Sequence, residues 1–192
     1  MTLTPALEEA LAFAGRLADA GRPVALEHFR AGAQSHNKDD AGFDPVTAAD
    51  RGVEAVMRRL IAEHRPEDGV IGEEGEPVAS HSGLTWVIDP IDGTRAFIAG
   101  LPTWTTLIAL QDETGPLISV IDQPFTGERF SGAAGTGAWL DHGGARTALS
   151  VRAQAETVAD AIVSTTDPHL FAGAEATAFQ QIAAGAKVRR FG

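Results

Sequence analysis

The sequence predicts a layered α/β (α+β) domain. Two long segments with helical periodicity open the chain, a series of short β-branched runs follows, and a strand–helix–strand pattern closes it. The first helix is expected from about Pro5 to Phe29, where Leu7, Leu11, Ala14, Leu17 and Ala18 recur at helical spacing. Gly21-Arg22-Pro23 is expected to kink or split it. The polar, glycine-containing stretch AGAQSHNKDDAGFDP reads as a loop. A second helix is expected from near Thr47, with Val53, Val56, Met57, Leu60 and Ile61 as its apolar stripe and Pro66 beyond its end.

The period then changes. GVIGEE is apolar and abruptly acidic, and LTWVIDP is an apolar run closed by Asp-Pro. TWTTLIALQD and PLISVIDQP are β-branched runs separated by turn residues, and ERFSGAAGTGAWLD holds two more short strands around glycines that suit tight hairpins. Five or six strands are therefore expected here. ADAIVSTT, GAEATAFQQIAAGA and KVRRFG then read as strand, helix and the start of a strand. Residues 1–150 form one expected lobe and residues 151–192 the start of another.

Composition narrows the partners. The chain has 192 residues and a net charge of −11, which argues against nucleic acid or an anionic membrane as the main partner. No run of about 18 apolar residues is present, so no transmembrane helix is expected. The N-terminus MTLTPALEEALAFAG lacks a basic leader, and the absence of cysteine excludes disulfides, thiolate zinc sites and cysteine nucleophiles. A cytoplasmic setting is the expectation. Six histidines are scattered without zinc-site spacing. Ser164-Thr165-Thr166 reads as a strand end and cap, and Trp104 and Trp139 as core or rim aromatics.

Carboxylates stand at telling positions. Asp50 opens the second helix, Glu73 and Glu74 close GVIG, Asp89 closes LTWVI, and Asp92 lies three residues on. Each has a plain reading alone: a helix-dipole acid at Asp50, a solvated turn at Glu73-Glu74, a cap at Asp92-Gly93-Thr94. Together, strand-end acids that meet at one sheet edge suit a hard cation such as magnesium, which needs several oxygen ligands. Asp89 and Asp92 can bracket metals about 3.5–4 Å apart, with the Ile91 carbonyl between them. A helix starting at Asp92-Gly93-Thr94 offers free N–H groups to a phosphate, and Gly93 lets the anion approach closely.

Three segments, DPVTAADRGVE, IGEEG and WVIDPIDGT, resemble in order the motifs of the inositol monophosphatase-like, magnesium-dependent phosphatases. DGTRAFIAGLPTWTTLIAL and STTDPHLF are more similar to the histidinol-phosphate phosphatases of that superfamily. The resemblance implies an α-β-α-β-α sandwich, a phosphomonoesterase acting on histidinol phosphate, and a homodimer. A sugar or polyol phosphate is the alternative substrate, and a non-catalytic chain with an incomplete metal site is the rival reading.

The resemblance also implies roles. Glu73, Asp89 and the Ile91 carbonyl hold a first magnesium, Asp89 and Asp92 a second. Asp50 orients Thr94, and Thr94 with Glu73 activates the attacking water. The N–H groups of Gly93 and Thr94 hold the phosphate, and Lys38 corresponds to a loop lysine nearby. Family members add an aspartate to the second metal from a later Trp-Asp motif. This sequence stops at KVRRFG, so the resemblance implies that the chain alone turns over poorly.

Overall fold

In the computed structural model, residues 3–31, 35–37, 45–151 and 156–192 are described, with backbone only at 35–37 and 45–47. Lys38 and the motif residue Asp44 lie outside the described residues. The chain divides into two compact units, Met1–Leu149 and Ser150–Gly192.

Helix α1 runs uninterrupted over Pro5–His28, capped by the Thr4 hydroxyl, which accepts the Leu7 N–H at 3.4 Å. The expected split at Gly21-Arg22-Pro23 does not occur. A Cβ at Gly21 would come within 2.8 Å of Met57 and 2.9 Å of Val53, and one at Gly52 within 2.9 Å of Val24. Gly21 and Gly52 thus let α1 lie close against the second helix, and that packing outweighs the helix-breaking tendency of glycine and proline. The expected loop at 31–45 contains strand β1 (Ser35–Asn37), which pairs antiparallel with β2 (Pro45–Thr47). Helix α2 (Ala48–His64) follows at once and buries Ala49, Val53, Met57 and Ile61.

Seven strands then form one sheet in chain order. They are β3 (Gly69–Gly72) and β4 (Thr85–Asp92), then, after the short helix α3 (Thr94–Ile98), β5 (Thr105–Asp112), β6 (Gly115–Gln123), β7 (Glu128–Ala133), β8 (Gly137–His142) and β9 (Ala145–Leu149). Only β3 and β4 run parallel; every later pair is antiparallel. Seven strands exceed the five or six that the sequence predicts, because β9 is exposed at every position and shows no burial alternation.

The helix pair covers one face of this sheet. Trp86 and Ile88 of β4, Ile108 and Leu110 of β5, and Ile118 and Val120 of β6 are buried in one core with Phe13, Leu17, Met57 and Ile61. Phe13 meets Trp86 edge-on, with ring centroids 5.2 Å apart. The second unit holds a strand–helix–strand element: β10 (Ile162–Thr165) and β11 (Val188–Phe191) are parallel neighbours, connected through α4 (Gly173–Gly185). Phe179 of α4 packs between Phe171 and Phe191. No helix among the described residues is long and apolar enough to cross a membrane.

Candidate metal centre

The parallel pairing of β3 and β4 creates the centre. Gly72 pairs with Ile88, so the next residues, Glu73 just past the end of β3 and Asp89 within β4, come side by side. Asp92 reaches the same place through a bulge. Asp89 pairs with Leu107 and Asp92 with Thr105, so two residues of β4 oppose the single Thr106. In a regular strand, residues three apart point to opposite faces; the extra residue brings Asp89 and Asp92 to one face. Proline suits the bulge because it has no N–H to lose, and the buried Thr106 hydroxyl donates to the Pro90 carbonyl at 2.7 Å.

Asp50, buried in the first turn of α2, completes the group from the helix side. Carboxylate oxygens of Asp50, Glu73 and Glu74 lie within 4.8 Å of one another and can hold a metal ion. Asp89 is crowded by charges of its own sign. Burial, followed by the charges of Glu73 and Asp92, a hydrogen bond with Glu73 and the charge of Asp50, raises its pKa from 3.8 to about 7. Its buried Oδ1 has no hydrogen-bond partner among the described residues. Arg51 stays at the margin, 60% exposed and 4.0 Å from Glu74. Clustered acid oxygens and an unsatisfied one fit a hard, oxygen-seeking cation.

Gly93 follows with φ +93°, and a Cβ there would lie 3.0 Å from the Thr103 carbonyl. The left-handed turn and the close approach both require glycine. Helix α3 begins at Thr94, two residues later than the earliest expected start, and spans five residues. The Thr94 hydroxyl donates to the Ile91 carbonyl at 3.2 Å, so this carbonyl is held beside Thr94. Beneath α3, Phe97 packs edge-on against Trp104, and both rings meet Phe29 at the end of α1. Trp104 is fully buried, as a core aromatic should be.

Two residues with a hold on this region went unassigned in the sequence. Glu54 and Arg58 follow Asp50 along α2 at successive four-residue steps, so all three share a helix face. Glu54 is 2% exposed and accepts hydrogen bonds from the Glu74 and Gly75 N–H groups, each at 2.8 Å. An acid, an acid and an arginine at that spacing, in a helix with an apolar stripe elsewhere, were the available signal. Glu74 also joins the acid cluster here, although the resemblance assigned metal binding to Glu73 of that pair.

Known proteins agree with this geometry. The family model described as the inositol monophosphatase family matches residues 6–192. A histidinol-phosphatase of Mycobacterium tuberculosis is 41% identical over 142 residues, covering 73% of this chain and 55% of that protein. A histidinol-phosphatase of Chlorobaculum parvum is 37% identical over 169 residues, covering 88% of this chain and 61% of that protein. The chain thus spans a little over half the length of these curated relatives. A solved inositol monophosphatase from Zymomonas mobilis superposes with a TM-score of 0.82 at 34% identity, covering 98% of this chain and 70% of that one. A match that runs nearly end to end, together with strand-end acids in the family's order, means that the chain belongs to the inositol monophosphatase family.

Proposed function

We propose that this chain carries the metal and phosphate centre of a magnesium-dependent phosphomonoesterase that hydrolyses histidinol phosphate. The observation that carries the reading is Asp89: a half-buried carboxylate among other acids, with its pKa raised to about 7 and its one buried oxygen without a hydrogen-bond partner among the described residues. A group kept in that state costs stability unless a cation completes it. In this reading Glu73, Asp89, the Ile91 carbonyl and Asp92 hold magnesium. When bound, the ion offsets the charge of the phosphoryl group and of the departing alkoxide.

The remaining chemistry falls to the chain. Gly93 and Thr94 present backbone N–H groups to the phosphate oxygens. Asp50 orients the Thr94 hydroxyl. The Thr94 hydroxyl holds the attacking water, and Glu73 takes its proton as the water oxygen bonds to phosphorus and the ester P–O bond breaks. A proton from Glu73 or solvent then passes to the departing alkoxide, giving inorganic phosphate and the alcohol. Histidinol phosphate is favoured by the relatives named histidinol-phosphatase and by the segment that follows Thr94. A polyol phosphate is the second reading, favoured by the 36% identity to an inositol-1-monophosphatase of Rhizobium meliloti.

Phosphate release from histidinol phosphate and from inositol 1-phosphate by the complete protein, with and without magnesium, tests both. Release is expected only with magnesium, faster from histidinol phosphate, and absent in Asp92→Asn. Release that ignores magnesium, or survives Asp92→Asn, sinks the site assignment; preference for the inositol ester replaces the first substrate with the second.

A further inference from the structure

We propose that Glu54 and Arg58 are positioning residues that set the cation affinity of the centre by fixing the backbone of the turn at residues 73–76, an inference that rests on the metal-centre reading above. Glu54 is buried one helical turn beyond Asp50. Its Oε2 accepts the Glu74 N–H at 2.8 Å, and its Oε1 accepts the Gly75 N–H at 2.8 Å and the Arg58 Nε at 2.7 Å. Arg58 then donates from its two terminal nitrogens to the carbonyls of Gly75 and Glu76, each at 2.9 Å. The pair therefore grips both the donors and the acceptors of one short turn.

The turn itself is built to be gripped. A Cβ at Gly72 would collide with the Glu54 carboxylate, and one at Gly75 would lie 3.0 Å from both Glu54 Oε1 and Arg58 Nε. Glycine at both ends of Glu73-Glu74 lets the backbone press against the pair, but glycine also leaves that backbone loose in its absence. Glu73 and Glu74 aim their oxygens at Asp50 and Asp89 only while the turn is held. Three donors occupy the Glu54 carboxylate, which marks it as a support and not as a ligand. Its charge is also cancelled by Arg58, so the pair adds no net charge to the acid cluster. Supports of this kind commonly change metal affinity about 10- to 100-fold.

Calorimetric titration of the full chain with Mn2+, beside thermal unfolding of the metal-free protein, tests the proposal. Glu54→Gln replaces one acceptor oxygen by an N–H donor and is expected to weaken Mn2+ binding about 10- to 100-fold in protein that still unfolds cooperatively. It also leaves Arg58 uncompensated, so the double variant Glu54→Gln with Arg58→Gln removes that charge and is expected to bind as weakly. Arg58→Lys keeps the charge and loses bonds to the turn; it serves if Glu54→Gln does not fold, with an expected loss of about 10-fold. Wild-type affinity in a folded Glu54→Gln or Arg58→Lys chain overturns the proposal. So does recovery of affinity in the double variant, or a lowered unfolding temperature with unchanged affinity. Asp89→Asn separates the two levels. If Asp89→Asn binds Mn2+ like wild type, the metal-centre reading fails; if it loses binding while Glu54→Gln does not, only the positioning role fails. A wild-type chain that binds no Mn2+ overturns both.

Discussion

Asp122 and Asp89 are both partly or wholly buried aspartates on strands of the same sheet, and the chain treats them oppositely. Asp122 on β6 is fully buried and accepts from Arg22 of α1 at 2.7 and 3.3 Å and from Arg129 of β7 at 2.7 Å. Arg129 also donates to Asp19 at 2.6 Å, so two acids meet two arginines. Burial works against the Arg129 charge, but its bonds to Asp19 and Asp122 prevail and raise its pKa. Asp89 on β4 faces Glu73, Asp92 and Asp50, all of its own sign. A carboxylate whose countercharge is covalently part of the chain ties helix to sheet. One that faces only acids, as Asp89 does, is in the proposed function the receptor for a cation.

The largest test removes the self-sufficient partner. Asp122→Ala strands Arg22 and leaves Arg129 with Asp19 alone; their side chains are only 30% and 19% exposed. The unfolding free energy by urea denaturation is expected to fall by about 3 kcal/mol, the low end for breaking a buried pair because both arginines still reach some water. Asp89→Asn in metal-free protein at pH 8 is expected to cost nothing. Equal losses from both substitutions would erase the contrast.

Magnesium sharpens it from the other side. At about 100 times its Kd, a ligand that binds only the folded state adds about 2.7 kcal/mol to stability. Wild type and Asp122→Ala are expected to gain this increment alike, and Asp89→Asn to gain almost none. A gain in Asp89→Asn equal to that of wild type places the cation elsewhere.

What the sequence disclosed follows the range of the interactions. Asp89, Asp92, Gly93 and Thr94 sit within six residues of one another, so local pattern marks them together. The acids of α2 and β3 were legible because strand-end and helix-start positions are themselves local. The uninterrupted α1 was not legible, since Gly21 is kept helical by contact with α2. Nor was the short β1–β2 pair, which lies in a polar stretch without alternation, nor β9, which buries nothing. The Glu54 grip on the 73–76 turn is likewise tertiary: the spacing of Asp50, Glu54 and Arg58 marks a shared helix face but does not name the partners 20 residues away. Charge balance escaped for the same reason, because Asp122 and Arg22 are separated by 100 residues.

A substitution that changes shape and no charge asks whether the receptor depends on geometry as well. Gly93→Ala meets a positive φ and the Thr103 carbonyl 3.0 Å from the new Cβ. It is expected to lower stability by about 1–2 kcal/mol and to weaken magnesium binding. Unchanged stability by urea denaturation shows that the turn relaxes freely and that Gly93 is not required by the fold.

The smallest expected effect is a pH dependence at Asp89 whose sign turns on magnesium. In the folded, metal-free chain Asp89 titrates near 7, against 3.8 in an unfolded chain. Between those values the folded state keeps a proton that the unfolded state has released. Stability from this group is therefore greatest below about pH 4 and is lost as pH rises towards 7. Partial exposure and solvent screening reduce the effect, so wild type is expected to lose about 1 kcal/mol relative to Asp89→Asn between pH 5 and pH 8. Asn cannot ionise, and subtracting its profile removes the other acids. Saturating magnesium should reverse the slope, because the cation binds the deprotonated carboxylate and competes with the proton. Asp122→Asn supplies the counterpart. Its difference from wild type should show no reversal with magnesium, since the cations that Asp122 needs are already in the chain. Urea denaturation at pH 5 and 8, with and without magnesium, measures all three; a wild-type slope that keeps its sign when magnesium is added means that Asp89 does not face the ion.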